Sequence, residues 1–595
     1  MKRNFNRILL RSLQLLLLLA SCLVLRAEIT LTAPAEGSTL SLMNEQQRAY
    51  VLMPREERIP YFADEEKRLE MQSAGYHPLA IKFAWEDTAE AENYRVTLAT
   101  NPDFEDAVVR TTDKLFARID NLMIAKKYYW KVEALGEDVV RTSGTGTFLT
   151  EDLAPRLVRI DGVPNVRDLG GRKGRNGKRV KQGMIYRTAG LNDNAKAVNY
   201  TLTEIAADPE LRSTYANHLA WQIELLQTIG ATETRLKGAP DFSSVPATLK
   251  PEWTVFRPDP AQFELAPHHQ MMAELRSIPP VFLGAKAEQV VTDENGAFKF
   301  DETILNAPAI FMQEIEAAAD GLMFASFGAD WFWDLRVNGT KVFDLLAGNQ
   351  GPSQANAHKV AIPVHEGKNL LVALVRSGSA GWIWAWANLP QPPEAVETLS
   401  SKLKLMKAGV GHPCEILKET VPGKNRLDDA TRRYVLEDLG VKIDIDLRNN
   451  RECWGMKGSP LGDDAVWHQI SSSSYGRMQE DFGRQAFTRV FRLFLDEKNY
   501  PLIFHCIAGQ DRTGAVAFII NGLMGVELEE LYLDWEVTGF WNKSVAFNHE
   551  LRFDHLVAGF EKLPGETIHD KIEHYVLSLG FTREDIEHLR NLLLE

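Results

Sequence analysis

The segment His505-Cys506-Ile507-Ala508-Gly509-Gln510-Asp511-Arg512-Thr513-Gly514 holds the residues best suited to chemistry. It lies between an apolar run, Pro501-Leu502-Ile503-Phe504, and a stretch with helical character, Gly514 to Met524. A loop that leaves a parallel strand and enters a helix turns its backbone N–H groups inward at the helix's positive end, and so cradles an anion. Cys506 opens the loop, and the same field favours its thiolate, the form that attacks phosphorus. Arg512 closes the loop and offers a planar fork to two phosphate oxygens. The phosphate-binding wall is expected to run through Ile507, Ala508, Gly509, Gln510, Asp511 and Arg512. Gly509 permits the tight path and Gly514 close helix packing, while Thr513 can donate a hydroxyl hydrogen bond to the sulfur. His505 is expected to orient the loop rather than serve as a base. This chemistry requires no metal and no cofactor.

Protonating a leaving group needs a carboxylic acid within hydrogen-bond reach. Asp446, at the carboxyl end of the neighbouring strand Lys442 to Leu447, lies where the sites of open α/β sheets gather. It can equally brace Arg512 or Arg448, because Asp446-Leu447-Arg448 with Glu452 also reads as an internal ion pair. Arg167 and Arg187 are expected to pair structurally with Asp168 or another carboxylate. Asp534 and Glu536 read as a solvated helix face. Cys453 follows Asp446 by seven residues and reads as a small buried side chain, with a reversible disulfide to Cys506 as the functional alternative.

These residues need an α/β scaffold, and the pattern supplies one. Ala430 to Leu439 suits a helix, Lys442 to Leu447 a parallel strand, Phe487 to Leu495 an apolar helix stripe, and 501–504 a second strand. Upstream, Asn165-Val166-Arg167-Asp168-Leu169-Gly170-Gly171 and Gly183-Met184-Ile185-Tyr186-Arg187-Thr188-Ala189 read as two strands joined by a basic hairpin, Arg172 to Lys181. Residues 28–152 read as a β-sandwich. They resemble a fibronectin type III domain through Phe83-Ala84-Trp85-Glu86 and Tyr128-Tyr129-Trp130-Lys131-Val132, with charged Glu56 to Gly75 as a loop elaboration. The α/β part is divided into 153–195 and 397–595 by a helical linker, 196–244, and an inserted domain, 245–396. In that insert Trp333 to Val337 is a strand, Asn338-Gly339 a type I′ turn, and Leu370 to Val375 a buried strand. The pattern is similar in a general way to jelly-roll sandwiches of carbohydrate-active enzymes. Trp382, Trp384 and Trp386 share one strand face, either in a sandwich core or as a glycan-stacking row.

The chain has 595 residues, too many for one core. Its formal net charge of -14 argues against nonspecific binding to nucleic acid or an anionic membrane. Lys2, Arg3, Arg7 and Arg11 before the apolar run Leu13 to Leu19 read as a signal peptide, residues 1–27. Export to the periplasm, outer surface or medium is therefore expected. Leu19-Ala20-Ser21-Cys22 fits a lipobox that would anchor the chain through Cys22, whereas cleavage after Ala27 would release it. Four cysteines, Cys22, Cys414, Cys453 and Cys506, do not make a disulfide scaffold.

His505 to Gly514 resembles the signature of the protein-tyrosine phosphatase superfamily. Together with Asn165 to Gly171, Tyr186-Arg187-Thr188-Ala189 and Asp446-Leu447-Arg448, it is similar to the bacterial tyrosine phosphatases that include secreted lipid-and-tyrosine phosphatases. The resemblance covers about 153–195 and 401–595. It implies a phosphatase-type parallel sheet flanked by helices, a Cys506 nucleophile, an Arg512 clamp and a cysteinyl-phosphate intermediate. It makes Asp511 the first candidate for the general acid, ahead of Asp446. The family often carries Lys where this chain has Gln510, which weakens the implication for doubly charged or phosphoinositide substrates. The expected substrate is a phosphorylated protein, best phosphotyrosine, or a small phosphate ester. Two alternatives stand beside it. One is an inositol phosphatase, if Arg172, Lys173, Arg175, Lys178 and Arg179 fold over the site. The other is an exported glycan- or protein-binding chain with a vestigial phosphatase fold.

Overall fold

The computed structural model describes residues 28–199, 247–388 and 417–595, apart from 90, 137–140, 302–303, 305–306, 345–357, 379–380, 422, 450–451, 454 and 543–548. The expected leader with Cys22, most of the 196–244 linker and the end of the insert at 389–396 lie outside the described residues. Two compact units emerge, one from Met1–Ala49 with His77–Arg159 and one from Tyr50–Tyr76 with Ile160–Glu595.

The first unit is a two-sheet β-sandwich. Ile29–Ala33, Ile81–Asp87 and Phe116–Ile119 form one sheet, and Asn93–Ala99 and Lys127–Leu135 are central in the other. Alternation along Lys127–Leu135 sends Tyr128, Trp130, Val132 and Ala134 into the core, where Trp130 meets Phe83 edge-on.

The segment 50–76 belongs to the second unit and is helical rather than a loop of the sandwich. Its charges have partners there: Arg58 Nε donates to Glu536 Oε2 at 2.7 Å, and the Arg55 guanidinium lies 3.6 Å from the Tyr532 ring centre. A highly charged stretch reads as solvated, but here its charges are satisfied by another element.

The five-stranded sheet of the α/β part runs in the order Arg167–Asp168, Ile185–Thr188, Leu502–His505, Ile443–Asp446, Val466–Gln469. The last four strands are parallel, and only Arg167–Asp168 is antiparallel to its neighbour. Thr188 pairs with His505, His505 with Asp446, and Asp446 with Gln469. Four strand ends thus lie side by side, and the Cys506 loop leaves from the middle of the row, where ligand sites of open α/β sheets form.

The inserted domain starts and ends at one place. Lys196–Asn199, expected as helix, is instead a strand antiparallel to Leu417–Val421, with Lys196 opposite Val421. Beyond this stalk, a six-stranded and a four-stranded antiparallel sheet enclose a core containing Trp253, Phe311, Phe327 and Trp333. The run Leu370 to Val375 is continuously apolar because both of its faces are covered. Leu371, Ala373 and Val375 enter that core, while Leu370, Val372 and Leu374 pack under the helix Leu265–Glu274 and its flanks. Asn338 and Gly339 have φ of 50° and 85°, as a type I′ turn demands. Trp382, Trp384 and Trp386 all belong to the core, with Trp384 against Phe311 and Phe327. They are not a glycan-stacking row.

Candidate active site

The strand Leu502–His505 is buried throughout, and the helix Asp511–Leu523 begins six residues after its end. Four successive carbonyls of the intervening loop are tied outward. His505 Nδ1 lies 3.2 Å from the Cys506 oxygen, and the Gly190 N–H donates to Ile507 at 3.0 Å. Asn165 Nδ2 donates to Ala508 at 2.8 Å, and Arg187 Nη2 to Gly509 at 2.6 Å. With the carbonyls fixed outside, the N–H groups are left for the interior of the loop, which makes it an anion nest. Gly509 is required twice over: its φ is +65°, and a Cβ there would lie 2.3 Å from the Thr188 carbonyl oxygen.

Cys506 lies at the base of this loop, 3% exposed. Burial opposes its ionisation. The Arg512 charge, the Thr513 hydroxyl and the N–H groups of Thr513 and Gly509 outweigh burial, so the thiol pKa falls below its ordinary value. Among the described residues the buried Thr513 hydroxyl has no oxygen or nitrogen partner, and it serves the sulfur. Glu452 receives Arg512 in a two-pronged pair, Nη1 at 2.7 Å and Nη2 at 3.0 Å, and the Asn449 N–H donates to Glu452 at 2.7 Å. Burial works against the guanidinium's charge, but Glu452 and Cys506 hold it firmly protonated. The plane of Arg512 is set by this pair.

Asp446 is wholly buried and is committed to Arg448, with contacts of 2.9 and 2.7 Å. The Cys453 thiol donates to its second oxygen at 3.3 Å. Burial raises the Asp446 pKa, but His505 and Arg448 reverse this and hold the carboxyl well below the usual range. It braces the loop and has no proton to give near neutral pH. Cys453 is kept protonated by burial and by Asp446. His505 Nε2 lies 3.0 Å from Asp444 Oδ1, and the ring is fully buried. Burial pushes its pKa down, and Asp446 and Asp444 together push it further up, which fits an orienting role.

Asp511 differs. Its side chain is 34% exposed, it accepts from the Tyr475 hydroxyl, and Arg552 Nη1 lies 3.7 Å away. Burial raises its pKa above the usual carboxylate value against the pull of Arg552 and Arg512. Gln510 is buried, and its side-chain oxygen accepts from Asn542 Nδ2 at 2.9 Å.

Asp534 was not legible as a site residue, and with Glu536 it is buried rather than solvated. It gathers three guanidiniums: Arg167 at 3.1 Å, Arg172 at 2.8 Å, and Arg187 in a shorter contact. Asp534 is thus the other carboxylate of the expected pairing, while the Asp168 carboxylate accepts the Gly170 N–H at 2.8 Å and the Gly183 N–H at 2.5 Å. Burial and the neighbouring Arg187 push the Arg167 pKa down to about 9. The available signal was Arg187: a cation in the strand run Met184-Ile185-Tyr186-Arg187-Thr188-Ala189, which has no acidic residue, calls for a buried anion from elsewhere.

The basic hairpin does not cover the site. The Arg175 N–H donates to the Met524 carbonyl at 2.8 Å, and Val180 bridges to Leu594. Met524 ends the 13-residue helix that starts at the loop, so the hairpin tip is about 20 Å from it.

Residues 158–233 and 424–595 match the family model described as tyrosine phosphatase family. A tyrosine-protein phosphatase of Nostoc commune is 28% identical over 150 residues, 22% of this chain and 51% of that protein, so the match spans about half of the relative's length. Among solved structures, a beta-glucosidase from Kluyveromyces marxianus covers 42% of this chain and 31% of its own at 12% identity and a TM-score of 0.15. A GH31 alpha-xylosidase from Xanthomonas citri covers 45% and 33% at 9% identity and a TM-score of 0.17. Scores this low carry no argument. The segments that build the nucleophile loop, its carboxylate braces and the arginine cluster are therefore the ones similar to the tyrosine phosphatase family.

Proposed function

We propose that the chain is a cysteine-dependent phosphatase for phosphate monoesters, with phosphotyrosine in proteins as its substrate class. One observation carries the reading: a sulfur of lowered pKa lies inside a loop whose four carbonyls are pinned outward, beside an oriented guanidinium. The Cys506 thiolate attacks phosphorus, forming an S–P bond as the ester P–O bond breaks. Asp511 delivers its proton to the departing oxygen. The loop N–H groups and Arg512 take up charge on the phosphoryl oxygens. Water then attacks the cysteinyl phosphate, Asp511 accepts its proton, and inorganic phosphate leaves.

The family similarity supports a phosphatase over a binding chain with a vestigial site, as do Cys506, Arg512 and Thr513 standing together. The distant hairpin speaks against an inositol phosphate mouth built from Arg175 and Lys178. Export by the 1–27 leader, a fibronectin type III-like first unit and a jelly-roll-like insert belong to the same reading. Any glycan at the insert would have to meet residues other than its three core tryptophans. The test is hydrolysis of p-nitrophenyl phosphate in EDTA, with vanadate as inhibitor, by the wild type and Cys506→Ser. The substitution is expected to abolish turnover, and activity that survives it overturns the mechanism.

A further inference from the structure

We propose that Tyr475 is a positioning residue for Asp511, and that the inserted sandwich holds Tyr475 in place; this rests on reading Asp511 as the acid. Tyr475 opens the short turn Tyr475–Gln479, is 5% exposed and has φ of 55°. A bulky side chain rarely adopts that backbone conformation, and it persists only where the surroundings impose it. Its hydroxyl donates to Asp511 Oδ1. The second carboxyl oxygen is thereby left to carry the proton toward the leaving group, and the tyrosine keeps its own proton throughout.

The surroundings that impose this conformation come from two directions. From the catalytic part, the Tyr575 hydroxyl donates to the Met478 carbonyl at 2.6 Å. From the insert, the Phe332 ring centre lies 3.8 Å from the Arg477 guanidinium, and Arg376 Nη1 contacts Glu480 Oε1 at 2.5 Å. Arg477 Nε in turn donates to Glu480 at 3.1 Å. Phe332 and Arg376 face each other across adjacent strands, so they act as one two-residue clamp on the outer face of the six-stranded sheet. The clamp grips the turn at Arg477 and Glu480, and the turn presents Tyr475 to the acid. A packing contact alone would not need a hydroxyl aimed at a carboxylate from a strained backbone.

The experiment uses the full chain and two substrates, p-nitrophenyl phosphate with a good leaving group and phenyl phosphate with a poor one. For Tyr475→Phe, kcat on phenyl phosphate is expected to fall about 10- to 100-fold, with p-nitrophenyl phosphate little changed. The alkaline limb of the pH profile should move up, since a hydrogen bond that favoured the ionised carboxyl is gone. Arg376→Met and Phe332→Leu should show the same leaving-group pattern more weakly. Arg257→Ala, in an exposed pair with Glu288 on the opposite flank of that sheet, should not. Unchanged rates of Cys506 alkylation certify that each variant is folded. Equal loss on both substrates, or no loss, in Tyr475→Phe overturns the inference, provided Asp511→Asn keeps its leaving-group effect. If Asp511→Asn shows no such effect, the assignment of the acid fails and the inference with it. If only Tyr475→Phe responds, the role of the insert is overturned.

Discussion

A thiol of lowered pKa reacts with alkylating agents at pH values where free cysteine is still protonated. The iodoacetamide rate at Cys506 should therefore have its midpoint below that of a free thiol, and Arg512→Ala should move it up, because that guanidinium is the largest influence favouring the thiolate. Asp511 carries the opposite sign. Burial raises its pKa, so it stays protonated to higher pH than an ordinary carboxyl, and turnover is lost as pH rises through that value. A bell-shaped kcat/KM profile is expected, with Cys506 setting its acid side and Asp511 its alkaline side. Asp511→Asn should remove the alkaline limb and lower kcat on phenyl phosphate by about 100- to 10,000-fold. That Cys506 and Arg512 share one strand-to-helix loop was legible in the sequence, because both fall in one run of ten residues. Asp446 was ambiguous for a physical reason: its strand position suits an acid or a brace equally, and only the arrival of Arg448 and the Cys453 thiol decides between them.

Elements bring together what the sequence keeps apart. Asp534 lies some 360 residues from its arginines, a separation fixed by Arg172 and Arg167 being 362 and 367 positions away. No local pattern could show that its helix face is buried. Asp534→Asn should cost about 3–5 kcal/mol in chemical denaturation, because it leaves buried guanidiniums short of their counter-charge. The hairpin 172–181 is basic by composition, yet only Arg172 at its base joins the Asp534 cluster, while Arg175 at its tip packs against Met524 at the far end of the loop's helix. Arg175→Ala with Lys178→Ala should change KM for any multiply phosphorylated substrate by less than about 2-fold, since exposed charges beyond a Debye length are screened. Strand periodicity announced the faces of the inserted domain correctly. It did not say which face was the core, and for Trp382, Trp384 and Trp386 that depended on the opposing sheet.

At the scale of the whole molecule, the paired strands at 196–199 and 417–421 let a large sandwich enter and leave the α/β part without disturbing its sheet. Anion binding and folding also draw on one field. Beneath the loop three guanidiniums gather on Asp534, Arg172 also lying 3.9 Å from Glu530, so a vanadate or phosphate dianion adds negative charge to a region rich in cations. Vanadate at 100 times its Kd should stabilise the fold by about 2.7 kcal/mol, read as a rise in Tm that Arg512→Ala diminishes. On the proposed function, a chain built to hold a phosphoryl charge is in this sense completed by it, and phosphate released by turnover would protect the protein against heat while it competes with the next substrate.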